Sequence, residues 1–233
     1  LGGKKGAAAV LGLAFNMFSI WFLLIPLLKR GFPSIPSAIL IVAFATSVSL
    51  LLLNGFSKKT FCAAIGCIGG VAIAGLIAFI AGKLTPINGF NMPEAEELVL
   101  RASDSGLRIS GLLVSGILIS SLGAVMDISM SVVSPMAEIY EINPRILQKD
   151  LFKSGLNIGR DTMGTMANTL ILAFAGASLN MLILFRIFDY PYMQVFNSDL
   201  MTIEIIQGLA GSIGIVLTVP LVSLLTAFIY TRK

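Results

Sequence analysis

The sequence holds no histidine among its 233 residues. That absence removes every site that needs an imidazole: HExxH metal centres, Ser-His nucleophile pairs and histidine proton relays. Charge is nearly as scarce. Only 12% of residues are Asp, Glu, Lys or Arg, against about 25% in an average soluble domain, while 56% are hydrophobic and the mean hydropathy is +0.93. A chain this apolar is a polytopic membrane protein whose first partner is the lipid bilayer. Its two cysteines, Cys62 and Cys67, match neither a CxxC redox pair nor a zinc knuckle and read as small buried residues. The net charge of +4 would point to nucleic acid in a soluble chain, but here the basic residues sit in short loops and no aromatic-basic platform accompanies them. No nucleic acid, metal or cofactor is therefore expected. The chain opens on Leu1 rather than Met, which suits a segment of something longer.

What is present is a series of apolar runs long enough for a bilayer core, which takes about 20 residues per helix. Six are visible, at 6–28, 35–53, 61–81, 107–130, 165–185 and 205–230. They predict an all-α, polytopic transmembrane helical bundle, a single transmembrane domain over 1–233 with short interfacial helices. Pro33 and Pro36 divide the first two runs, and Asn54-Gly55 with Lys58-Lys59 the next two. Lys4, Lys5, Lys58, Lys59, Arg145, Lys149, Lys153, Arg160, Arg232 and Lys233 fall on one side of such a map. Lys29, Arg30, Lys83, Arg101, Arg108 and Arg186 fall on the other. The side richer in Lys and Arg is the cytoplasmic one, so both ends and the segment 131–160 are expected there.

Within that segment "NPRILQKDLFKSG" reads as a short helix with Asn143 as N-cap and Pro144 in the first turn,. Arg145, Lys149 and Lys153 would form one basic stripe, either against anionic lipid or simply solvated. Gly155 and Gly159 would then allow a bend. On the outer side Glu94, Glu96 and Glu97 follow Pro93, as in the first turn of a short surface helix. No internal repeat is visible.

Residues at i, i+4, i+7 and i+11 share a helix face. Gly116, Ser120, Gly123 and Asp127 do so in the fourth run, extended by Ser131 and Ser134. Asp161, Thr165, Asn168 and Leu172 do so in the fifth, and Glu204, Gln207, Gly211, Gly214 and Thr218 in the sixth, where Pro220 interrupts the helix. Small residues at such spacing admit close helix approach. The three faces predict one packing seam between spans four, five and six, with Gly164 also in it. Arg160 is placed to neutralise Asp127 and Asp161, leaving about one negative charge for a proton or cation. The competing reading has Asp161 capping the fifth helix while Arg160 reaches the headgroups.

The stretches "GAVMDISMSVVSPMAEIYEINP", "LFKSGLNIGRDTMGTMANTLILAFAG" and "GSIGIVLTVPL" resemble the YibE/F family of bacterial multi-pass membrane proteins, with "NGFSKKTFCAAIG" and "EAEELVL" fitting the same pattern. The resemblance covers nearly the whole chain. It puts Asp127, Asn157, Gly159, Arg160, Asp161, Gly164 and Asn168 on the family's motif positions. It implies a bacterial inner-membrane protein for which transport is suspected. Longer members carry a preceding membrane helix and an extracytoplasmic domain, so such a domain or a partner chain is an expected neighbour. The leading functional reading is a transporter or permease core for a small solute or ion, proton- or cation-coupled, with the seam as its path. The runner-up is a membrane platform that docks an extracytoplasmic domain or partner chain. An aspartyl hydrolase using Asp127 and Asp161 lacks the Tyr-Asp and Gly-x-Gly-Asp surroundings of such enzymes, so no enzymatic activity is expected.

Overall fold

A computed structural model describes residues 3–85, 89–92, 95–102, 109 and 111–232. Pro93, Glu94, Arg108 and Lys233 fall outside the described residues, as do the side chains of Lys4, Lys5, Glu96 and Arg101. Among the described residues the chain is helical and contains no strand. Ten α-helices follow in order: α1 (Gly3–Ser19), α2 (Ile25–Lys29), α3 (Ser34–Asn54), α4 (Lys58–Leu84), α5 (Ala95–Ala102), α6 (Leu112–Ile142), α7 (Gln148–Ala177), α8 (Leu179–Ile187), α9 (Tyr192–Phe196) and α10 (Asp199–Thr231).

A π turn, Ile20–Leu24, joins α1 to α2, with the Ile25 N–H donating to the Ile20 carbonyl. The widened turn lies directly before Pro26, whose ring would otherwise press on the carbonyl one turn back. The first span is thereby continuous despite its proline. Pro33 caps α3, and the Ser57 hydroxyl caps α4 by accepting from the Thr60 N–H at 3.1 Å. Gly6–Lys29, Ser34–Asn54, Lys58–Leu84, Leu112–Ile142 and Asp199–Thr231 are each long and apolar enough to cross a membrane. A sixth candidate is the pair α7 and α8, bent by 53°.

Side-chain pairings fix the helix directions. Gly66 meets Val222, Gly70 meets Thr218, and Gly214 meets Ala74, so α4 and α10 run antiparallel. Gly155 lies against Ser223, Gly159 against Val219 and Gly208 against Ile171, so α7 is antiparallel to α10 along its length. Ser121 approaches Gly211 and Tyr140 packs edge-on to Tyr230, so α6 and α10 are parallel. The six long elements therefore alternate in direction. Both described ends lie at the end of the bundle that also holds the turns before α4 and α7.

The core sits where α4, α6 and α10 meet. Gly70 is enclosed by Thr218 and Val125, Gly75 by Leu118, and Ile117, Leu118, Val125, Ile128, Ile215 and Val222 are fully buried around them. Backbone approach of this kind needs residues without a Cβ, because helices in lipid associate by close van der Waals packing. Cys62 and Cys67 are free and buried in α4, as expected.

The 131–160 region differs from expectation. α6 does not end near Met130 but continues to Ile142 through Pro135, and only residues 143–147 form a connection. Asn143 is the C-cap of α6 rather than an N-cap, and its Oδ1 accepts from the Arg145 N–H at 3.3 Å in the turn. Arg145 consequently leaves the basic stripe, which shrinks to Lys149 and Lys153. Gly155 and Gly159 do not bend the chain; they are where Met136, Ser223 and Val219 pack against α7. The break expected nowhere in the fifth run occurs instead at Ser178.

Candidate functional site

Hairpin geometry arranges the polar residues. Ser121 and Leu170 approach the same Gly211, and Met136 lies at Gly155. In an antiparallel pair this register sets Asp127 level with Gly164, Gly123 with Asn168, Ser131 with Arg160, and Glu138 with Lys153. Asp127 stands at the midpoint of α6. The site therefore lies at the mid-length of the two hairpin helices.

The α6 stripe turns away from the core. Ser120, Gly123, Asp127 and Glu138 are exposed, Gly116, Ser131 and Ser134 half-buried. A Cβ added at Gly116 or Gly123 would meet nothing within 4 Å. The opposite side of the same helix carries the buried residues Leu118, Ser121, Val125 and Val132. α7 is divided likewise. Leu151, Gly155, Gly159 and Leu170 are buried toward α6 and α10, while Asn157, Arg160, Asp161, Gly164, Thr165 and Asn168 are exposed. Gly164 also has open space around it.

Only part of the expected seam is a contact. Gly211 lies against Leu170, Gly214 against Ala74, and buried Thr218 packs on Gly70 while donating to the Gly214 carbonyl at 2.6 Å. Gln207 and Pro220 are half-buried on α10. Gly116, Ser120, Gly123 and Gly164 make no helix contact of this kind. α10 packs as closely on α4, whose Gly66, Gly69, Gly70 and Gly75 the sequence reading passed over, as on α7. Their signal was legible: Gly66 and Gly70 stand four apart in "GCIGG", the spacing that brings membrane helices together.

Among the described residues Arg160 forms no ion pair with Asp127 or Asp161. The ion pairs there are Lys59 with Glu141 at 3.7 Å and Arg186 with Asp189 at 3.8 Å. Two further residues of the polar face were missed. Pro135 lacks an N–H, so the Ser131 carbonyl loses its usual helical donor, and Glu138 continues the spacing of Asp127 by three turns. Both lie in the segment 131–160 that the sequence assigns to the cytoplasmic side.

The residues that carry this face span "GAVMD" through "IGRD", and the family described as YibE/F-like protein matches residues 1–232. The chain belongs to that family. No curated protein and no solved structure matches it. For this YibE/F-like chain the arrangement offers hydrogen-bonding and charged groups along two membrane-length helices, all on the side away from the core. A separate apolar cavity of about 300 Å³ lies where α7 bends into α8 beside α10; Phe174, Met181 and Leu209 line it, with Glu204 its one charged wall.

Proposed function

We propose that this YibE/F-like protein is the membrane core of a transporter or permease for a small solute or ion, with its path running over the α6/α7 face. One observation carries the reading: Asp127, Arg160, Asp161 and Asn168 are exposed near the middle of helices built to cross a membrane. On insertion scales a charged side chain facing lipid costs about 2.5–3.5 kcal/mol at the centre of the apolar layer and less toward its edge. Polar groups persist there where they line water or are covered by protein. Two carboxylates against one guanidinium give the path a net negative charge, which suits proton or cation coupling.

Asn168→Leu tests the path. Asn168 is exposed and its side chain supports no contact in the core, so the variant folds and inserts as the parent does. Uptake of ions or solutes into reconstituted vesicles should fall at least tenfold. Parental flux in the variant rejects the path.

The proposed setting is a bacterial inner membrane with both ends cytoplasmic. Impermeant thiol reagent should label Phe90→Cys from outside intact cells and Lys149→Cys only after permeabilisation, in a chain with Cys62 and Cys67 replaced. Phe90 is chosen because it is 56% exposed, whereas neighbouring Ala95 is buried. The reverse pattern inverts the topology.

The close-packed junction of α4, α6 and α10 favours a second reading, in which the bundle is a rigid platform for an extracytoplasmic domain or partner chain. That reading requires vesicles without flux under any imposed gradient.

A further inference from the structure

We infer that the α6/α7 face is covered by the same face of a second copy of this chain, α6 of each copy lying on α7 of the other. The inference rests on the placement of the charges and stands whether or not the face conducts. The α6 stripe is acidic, with Asp127 and Glu138 exposed on it. The α7 stripe offers Lys153 and Arg160, also exposed, with Asp161 beside Arg160, and Asp127, Glu138, Lys153 and Arg160 are in no ion pair among the described residues.

Register turns this into a match. A two-fold axis along the membrane normal preserves depth, so residues level within one chain are level across the pair. Glu138 of one copy then faces Lys153 of the other at the same depth. Arg160 lies one turn, about 5.4 Å, from the level of Asp127, within reach of its long side chain. The opposite pairings are poorer in charge: α6 on α6 opposes Asp127 and Glu138 with themselves, and α7 on α7 opposes Lys153 with itself, where only Arg160 gains an acid, Asp161. Gly116, Gly123 and Gly164, with open space around them, allow the backbones to approach. An isologous interface uses one patch on both subunits, so each such contact occurs twice.

Disulfide trapping decides the matter. Two differently tagged chains, both with Cys62→Ala and Cys67→Ala, are co-expressed; one carries Gly123→Cys and the other Asn168→Cys, which the register makes level. Because each chain holds one thiol, any bond is between copies. Oxidation in native membranes should give a mixed-tag dimer at least tenfold above the pair Leu40→Cys and Ile205→Cys, whose positions are exposed elsewhere on the bundle and level with each other. Equal trapping at the control pair, or no trapping together with a monomer mass in lipid discs, overturns the inference and assigns the face to a different chain.

Charge exchange supplies a second readout. Asp127→Arg should abolish trapping, and adding Arg160→Asp to the same chain should restore it. A double exchange that accumulates as a monomer overturns the pairing. Trapping, with no flux from the chain that keeps Asn168, keeps the pair and removes the transport path, whereas flux from that chain as a monomer does the reverse.

Discussion

Gly70→Ala should unfold this protein in detergent some 5–10 °C below the parent, while Gly123→Ala should raise its midpoint slightly. The two substitutions are chemically identical and both lie in long helices. At Gly70 the new methyl group meets the Thr218 hydroxyl and a Val125 methyl at 2.7 Å, in a junction whose neighbours are themselves buried. Overpacking of that kind costs about 1–3 kcal/mol, and for a chain of this size each kcal/mol moves the midpoint by about 2–4 °C. At Gly123 the methyl meets nothing within 4 Å in one chain, so in a chain that detergent keeps monomeric alanine is favoured over glycine inside a helix by about 0.5–1 kcal/mol. Thermal melts followed by size exclusion separate the signs. Adding Thr218→Ala to Gly70→Ala removes one of the atoms met and should recover part of the loss. If Gly70→Ala melts with the parent, α4 and α10 are not in contact there.

Arg160→Gln alone should deplete folded protein in the membrane far more than Arg160→Gln together with Asp161→Asn. Arg160 is the one cation among the mid-bundle charges of α6 and α7, and removing it leaves two carboxylates with no compensating charge. At about 3 kcal/mol for an uncompensated charge in the apolar layer, the folding equilibrium shifts roughly a hundredfold. The double change removes one of the stranded acids along with the guanidinium. Quantifying the membrane-inserted, monodisperse fraction of each variant gives the comparison. A double variant as depleted as the single one shows that charge balance is not what Arg160 supplies.

The helices were legible in the sequence because the apolar runs announce their own length; Ser34–Asn54 and the predicted 35–53 differ by one residue at each end. The polar stripes were legible as stripes, since spacing alone puts Gly116, Ser120, Gly123 and Asp127 on one face. Which way a face points is another matter. Small residues serve equally for tight packing and for leaving a surface open, and in this protein Gly214 does the first and Gly116 the second. Hydropathy also failed in the stretch 131–160, where Ser131, Glu138, Lys153 and Asn157 lower the average although only one side of each helix is polar. Averages erase faces. The pairing of Lys59 with Glu141, far apart in sequence, had no local signal at all.

The hairpin of α6 and α7 is longer than a membrane is thick. At about 1.5 Å per residue the 31 residues of α6 measure about 46 Å and the 30 of α7 about 45 Å,, against a hydrocarbon core of about 30 Å. Even at the steepest tilt usual for membrane helices, about 40°, α6 still occupies about 35 Å of depth. Some of the hairpin must stand clear of the apolar layer, and the charges say which part: Glu138, Glu141, Lys149, Asp150 and Lys153 cluster around the turn at 143–147. Those groups act as a float. They set how deeply the whole bundle rides, so a thinner bilayer lengthens the exposed hairpin instead of drawing it inward, and anything approaching from that side meets its tip before the headgroups.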